Sequence, residues 1–351
     1  MQGKRLSYFD MAKGLGIILV VYGHIEYISD EMRGWISSFH MPLFFIIAGM
    51  LMSLKNETEQ EFKIFAARKW RSVMIPYLWF SLIYFFIDIL NTVLNKIDLK
   101  TFIDNAIASV TFYGVSVLWF LPALFLSELF ACAVIRYLRK WYLAIPVSFA
   151  AAILAYFIQI RISGFYDKNP DILFITITVN LVRVFLRALI AASFVVTGYF
   201  SFTLINRDEG FSVSGLITGI ILFIADLFLY RINGCIDLHY MVLKNVPMFF
   251  ICAFAGSFAI ILICKNIRNV PVISYLGMNS LTIMCTHVNC YILYAAILIA
   301  WQIDRVVTRA KSYVFLFNIM FFTFLIEWAV IEIIKRFFPF ILGKKMIKKQ
   351  S

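Results

Sequence analysis

Charge is what this chain has least of. Asp, Glu, Lys and Arg make up 15% of its 351 residues, against 62% hydrophobic ones, whereas a water-soluble domain carries roughly 25% charge and about 45–50% apolar residues. That shortage excludes a globule in water, because there is too little polar surface to cover it, and lipid must be the main solvent. Acidic residues are scarcer than basic ones, 20 against 32, giving a net charge of +12. The basic residues lie in short loops between apolar runs rather than on a soluble domain, so the charge speaks for membrane orientation and anionic lipid, and against a nucleic-acid partner. Six cysteines are present without a CxxC pair or a Cys/His metal spacing, which sets metal binding aside. There is no GxSxG elbow and no cysteine beside a base in sequence, so an acyl-enzyme is not expected. No linker and no fixed-period repeat divides residues 1–351, which read as a single transmembrane domain. Lys4 and Arg5 ahead of Leu15–Tyr22 mimic a signal peptide, but no small-residue cleavage site follows, and the segment reads as a retained first helix.

What is there instead is a succession of long apolar runs, near 8–28, 36–54, 73–92, 113–135, 142–160, 174–204, 212–230, 245–264, 272–300 and 313–335. Each is long enough to cross a bilayer as a helix. The expected fold is all-α: a polytopic transmembrane bundle of about ten helices, the sixth and ninth long enough to tilt or carry a break. With the N-terminus inside, twenty Lys and Arg fall in inner segments and ten in outer loops, with Arg183 and Arg187 inside the sixth span. The bias predicts both termini in the cytoplasm.

An ionisable side chain at mid-membrane costs at least ~2.5–3.5 kcal/mol on insertion scales, so each one asks for a partner or a role. The spans hold Lys13, His24, Asp88, Glu128, Arg183, Arg187, Asp226, His287, Glu327 and Glu332. Asp10, Lys13 and His24 share one face of the first helix, with Lys13 and His24 about three turns, or ~16 Å, apart. A snorkelling lysine and an interfacial histidine are the structural alternative. Arg183 and Arg187, one turn apart, must face protein, water or an anion, and Glu128, Asp226 and Glu327 are available to pair with them. His287 has Ser280, Thr282 and Thr286 nearby and reads equally as a hydrogen-bonded core histidine. His40 and His239 sit at membrane boundaries, and His239 is assigned no role. Pro42 is placed in the first turn of the second helix, where its missing N–H costs little. Arg68 and Arg71, spaced i, i+3 on a helix entering the membrane, present two guanidinium forks suited to phosphate or pyrophosphate. Ordinary positive-inside anchoring gives the same pattern. Tyr113, Tyr166 and Tyr240 near the outer ends suit sugar stacking and an interfacial belt alike.

These motifs together resemble the acyltransferase-3 family of integral membrane acyltransferases. Asp10-Met-Ala-Lys13 through Tyr22-Gly-His24 is similar to that family's first-helix signature of a basic residue, ten residues and a histidine. Phe39-His40-Met-Pro-Leu through Ala48-Gly49 resembles its second-helix segment, with Ala48 for the usual serine. Arg68-Lys-Trp-Arg71, Trp119 to Phe125, Arg187 to Tyr199 and Tyr275 to His287 continue the pattern in order along the whole chain. Lys13 departs from the usual arginine, keeping the charge and losing bidentate geometry.

The resemblance implies an acyl-CoA-dependent O-acyltransferase of the cell membrane, a bacterial inner or plasma membrane. It would move an acyl group, acetyl foremost, to a hydroxyl of an envelope polysaccharide, lipid-linked sugar or related acceptor. Acetyl-CoA would be a co-substrate, with no tightly bound cofactor. His24 would be the general base, since an imidazole titrating near ~6.5 is mostly neutral at pH 7 and can take a proton. Lys13 and Asp10 would support it, Arg68 and Arg71 would hold the donor phosphates, and Arg183, Arg187, His287, Glu128, Trp119 and His40 would line the substrate path. Besides donor, acceptor and bilayer, a homo-oligomeric partner is left open. The rival expectation is a small-molecule transporter on the same bundle, for instance of amino acids; no soluble domain is fused here to suggest it.

Overall fold

The structure, a computed structural model, describes residues 6–166, 172–206, 210–304 and 312–344. Ten of the basic residues used for orientation (Lys4, Arg5, Lys168, Arg207, Arg305, Arg309, Lys311, Lys345, Lys348 and Lys349) lie outside them. Among the described residues there is no strand, only one isolated bridge between Asp237 and Val242. Helix is what lipid demands, because every backbone N–H and C=O must be satisfied within its own segment.

The helices are α1 (Ser7–Gly23), α2 (Asp30–Leu54), α3 (Phe62–Lys69), α4 (Ile75–Val93), α5 (Leu99–Val110), α6 (Phe120–Leu138) and α7 (Trp141–Tyr166). They continue with α8 (Leu173–Ile205), α9 (Val213–Asn233), α10 (Val246–Asn266), α11 (Pro271–Met278), α12 (Ser280–Thr286), α13 (Ile292–Ile303) and α14 (Ser312–Phe337). Eight segments are long and apolar enough to span, α3 and α4 counting as one through the π-turn Trp70–Met74. The 17-residue α1 and the interrupted segment α11–α13 fall on the first and ninth of the ten expected runs and are not among those eight. Lipid-facing side chains such as Leu154, Ile221, Phe228, Phe317 and Trp328 are exposed on the outside of the bundle. Inside, α2 packs on α8 and α10, and α1 packs on α11 and α2.

The ninth apolar run carries the break its length allowed: α11 stops at Asn279, and after His287 the chain turns through Tyr291 at φ +60° before α13 begins. Two expectations change. Pro42 is not in a first turn but deep within α2, because that helix starts earlier, at Ser29, whose hydroxyl accepts from the Met32 N–H at 3.2 Å. A proline there leaves the Ser38 carbonyl one turn back without its helical N–H; at the next carbonyl, that of Phe39, the Ser257 hydroxyl on α10 donates at 3.3 Å. Residues 93–112, expected as a loop, contain α5, capped by Asp98 at the Thr101 N–H and with no buried residue.

Two helix crossings are close enough to require glycine. A Cβ on Gly49 would sit 1.9 Å from the Val195 carbonyl oxygen, and one on Gly198 would sit 2.2 Å from that of Ile46, so α2 and α8 meet backbone to backbone. A Cβ on Gly277 would fall 1.7 Å from the Asp10 carbonyl oxygen, and one on Gly14 would fall 2.0 Å from that of Ile273. Small residues at such crossings are how helices associate in lipid. The second crossing fixes α1, which carries the polar stripe, against α11.

Candidate active site

Helix α1 is the axis of the site. Lys13 pairs with Asp10 at 3.0 Å one turn back, so the lower part of the stripe is an ion pair rather than a snorkelling lysine. His24 follows the last turn of α1, and its Nδ1 lies 2.8 Å from the Val20 carbonyl. A carbonyl can only accept, so Nδ1 carries the proton and Nε2 keeps a lone pair. The same reasoning applies to His287, whose Nδ1 is 2.7 Å from the Ile283 carbonyl. His287 Nε2 is then an acceptor 3.3 Å from His24 Nδ1, the two rings meeting edge to face at 71°. His287 is fully buried. Its neighbour Thr286 donates to Glu327 at 2.8 Å, so the hydroxyl near His287 serves the carboxylate instead of the ring.

His24 opens into a cavity of about 450 Å³, walled by His40, Arg33, Trp119, Asp237 and His239 among others. That volume suits a small-molecule site. The wall is braced from behind by Arg187, 1% exposed on α8. Its guanidinium donates to the Tyr113 carbonyl at 3.1 Å and the His239 carbonyl at 2.7 Å, and lies over the rings of Tyr113 and Trp119. Trp119 and His239 stack nearly parallel, 4° apart. Burial, reinforced by the Arg187 charge, holds the His239 imidazole down at about 3, so it stays neutral. His239 belongs to the loop between α9 and α10, closed by paired bonds between Asp237 and Val242 and by the Asn245 N–H donating to the Asn233 side chain at 2.9 Å.

A second cavity of about 210 Å³ lies along the same helices toward the start of α1. Lys13, Lys55, Lys69, Glu128 and Ala48 line it, with apolar Phe44, Phe120 and Leu281. Lys69 sits between two buried carboxylates, pairing with Glu57 at 3.0 Å and with Glu128. Lys55, exposed at the end of α2, stands at the same end.

The structure thus places Lys13, His24, His40, Trp119 and Glu128 in the walls of two cavities along one helix, with Asp10 paired to Lys13 and His287 set against His24. Arg68 and Arg71 are not brought together. Arg68 reaches Glu57 at 3.3 Å, and Arg71 donates to the Gly343 carbonyl at 2.9 Å. Arg68 lies in the last turn of α3 and Arg71 in the π-turn, which spoils the i, i+3 register, and Lys69 lines the cavity instead. Nor do Arg183 and Arg187 pair with a spanning carboxylate: Arg183 donates to Ser163 at 3.2 Å and covers Tyr166. Glu128 is taken by Lys69, Asp226 lies near Trp35 and Ser38, and Asp88 and Glu332 are met by Asn105 and Tyr275. Sequence reasoning missed His239, Arg33 and Asp237, which come from segments bridged only by tertiary folding, and Lys69, overlooked between two arginines. Among the described residues no three His, Cys, Asp or Glu side chains form a metal-binding group.

Comparison with known proteins agrees with this architecture. The sequence model of the acyltransferase-3 family, an acyltransferase domain, matches residues 6–332, nearly the whole chain. No curated protein and no solved structure matches. A multi-pass helix bundle with a histidine-bearing polar stripe on its first helix and a family match of that extent lead to one conclusion: the chain belongs to the acyltransferase-3 family and is a membrane acyltransferase.

Proposed function

We propose that this enzyme moves an acyl group, acetyl foremost, from cytoplasmic acyl-CoA to a hydroxyl of an envelope glycan or related acceptor, with His24 as general base. The observation that carries this reading is the pair of cavities laid along α1, with the free Nε2 of His24 at one and Lys13 at the other. In this reading the Lys13 cavity faces the cytoplasm and receives the thioester, while the donor phosphates rest among Lys55, Arg68 and Arg71 at its mouth. The acceptor enters the His24 cavity from outside, against His40 and Trp119.

His24 Nε2 takes the proton as the acceptor oxygen attacks the thioester carbonyl. The new C–O bond forms, the C–S bond breaks, and the proton passes on to the departing CoA thiolate. Asp10 orients Lys13, Lys69 and Glu128 shape the donor end, and His287 holds the His24 ring. Arg183 and Arg187 support the acceptor wall from behind rather than touching substrate. A solute carrier on the same bundle draws nothing from the family match.

The test is transfer by purified protein in liposomes carrying labelled acetyl-CoA inside and a glycan acceptor outside. Esterified acceptor should form with wild type and not with His24→Ala, and His24→Ala should still bind acetyl-CoA. Transfer by His24→Ala at the wild-type rate would end this assignment.

A further inference from the structure

The two cavities are divided by a single shared side chain: of the described residues that line them, Met284 alone lines both. The same elements carry the walls of both, with Val20 and Lys13 on α1, Met41 and Phe44 on α2, and Trp119 and Phe120 where α6 begins. The cavities therefore follow one another along one path. Phe44 and Phe120, both in the wall of the Lys13 cavity, meet with ring centroids 5.8 Å apart. Met284 is 3% exposed, between the fully buried Ile283 and Cys285. It belongs to α12, seven residues long and cut from α11 at Asn279, and lies one turn before His287.

We infer that Met284 sets the length of the acyl chain this enzyme transfers, by standing between the Lys13 cavity and the His24 cavity on the route the thioester must take. This rests on the acyl-transfer reading above. A thioester lodged beside Lys13 has to present its carbonyl to an acceptor beside His24, and the side chain both cavities share is the one it has to pass. Methionine is suited to the task, since it is unbranched with three rotatable bonds and yields where a branched or aromatic side chain would not. A two-carbon acyl group asks little of it. Each further methylene must find room among Met284, Phe44, Phe120 and Leu281.

The experiment compares wild type with Met284→Ala, Met284→Leu and Met284→Trp in liposomes, supplied with acetyl-, butyryl- and hexanoyl-CoA. Met284→Ala should raise the hexanoyl-to-acetyl transfer ratio roughly tenfold or more, the scale on which a pocket discriminates methylenes. Met284→Trp should lose transfer of all three donors while acetyl-CoA binding, measured separately, persists. Met284→Leu, similar in volume, should stay close to wild type with acetyl-CoA. An unchanged chain-length ratio in Met284→Ala, or full transfer by Met284→Trp, overturns the inference even if the enzyme is an acyltransferase as proposed. Failure of wild type to transfer any of the three donors, or full activity in His24→Ala, overturns the underlying reading and this inference with it. A Met284→Trp protein that does not fold leaves the Met284→Ala ratio to decide.

Discussion

His24 and His287, 263 positions apart in the chain, face each other with Nδ1 and Nε2 3.3 Å apart. The Val20 carbonyl already fixes the proton on His24 Nδ1, so His287 acts on the same N–H from a second side and helps hold the ring with Nε2 outward. His24→Ala should lower kcat by about 10²–10⁴-fold, the usual contribution of a general base. His287→Phe, which keeps a ring but loses the acceptor, should lower kcat less, by about tenfold, with KM for acyl-CoA unchanged, and His287→Gln should recover part of it. Steady-state kinetics in liposomes distinguish these cases. A His287→Phe enzyme with wild-type kcat would show that the ring contact is packing alone.

Lys69 neutralises two buried carboxylates, Glu57 and Glu128. Lys69→Met strands Glu128 and leaves Glu57 to Arg68 alone, and breaking a buried ion pair from one side costs about 3–5 kcal/mol. The variant should melt well below wild type in detergent. Adding Glu128→Leu should restore part of the loss, and strict additivity in that double-mutant cycle would mean the pair is uncoupled.

The α1–α11 crossing leaves no room for a side chain. Gly277→Val should displace α1, abolish transfer and give poorly dispersed protein on size-exclusion chromatography. Gly164→Val is the control, since a Cβ there meets nothing within 4 Å.

His239 gives the site a pH dependence. Its folded-state value near 3 lies below the ordinary ~6.5 for histidine, so the unfolded chain binds this proton more readily. The sign follows: the stability tied to neutral His239 is present above about pH 6.5 and is lost progressively as pH falls toward 3. Thermal midpoints between pH 7.5 and 4.5 should drop less steeply in His239→Phe than in wild type. Parallel curves would remove His239 as the cause.

Cys235 is exposed in the wall of the His24 cavity, whereas Cys132, Cys252, Cys264 and Cys285 are buried and Cys290 is half-buried. A membrane-impermeant maleimide should label Cys235 on intact cells, and Cys235→Ser should abolish that labelling. Labelling that requires permeabilised cells would reverse the proposed orientation.

How much of this was legible in the sequence depends on how local each signal is. The long apolar runs marked the spans to within a few residues, because lipid imposes one rule on every buried segment. The ninth span's length allowed for a break, but its position was hidden, since Asn279 and His287–Tyr291 interrupt the helix without interrupting hydrophobicity. The start of α2 was hidden for the opposite reason: Ser29, Asp30 and Glu31 read as a loop but cap a helix. The Lys13–His24 stripe was visible because it lies within one helix. The partners of Arg68, Arg71 and Arg187 were not, because a π-turn and backbone carbonyls from distant segments decided them.

Arg187 holds the loop between α9 and α10 through the main-chain oxygen of His239, a contact indifferent to which side chain the loop presents there. The closing bonds of Asp237 with Val242 are likewise main-chain to main-chain. The roof over His24 is thus secured by a grip that does not read sequence. On the proposed reading, the His239 and Tyr240 side chains are the positions to exchange for a different acceptor while the spanning helices and the donor end are left as they are, which uncouples acceptor choice from the fold.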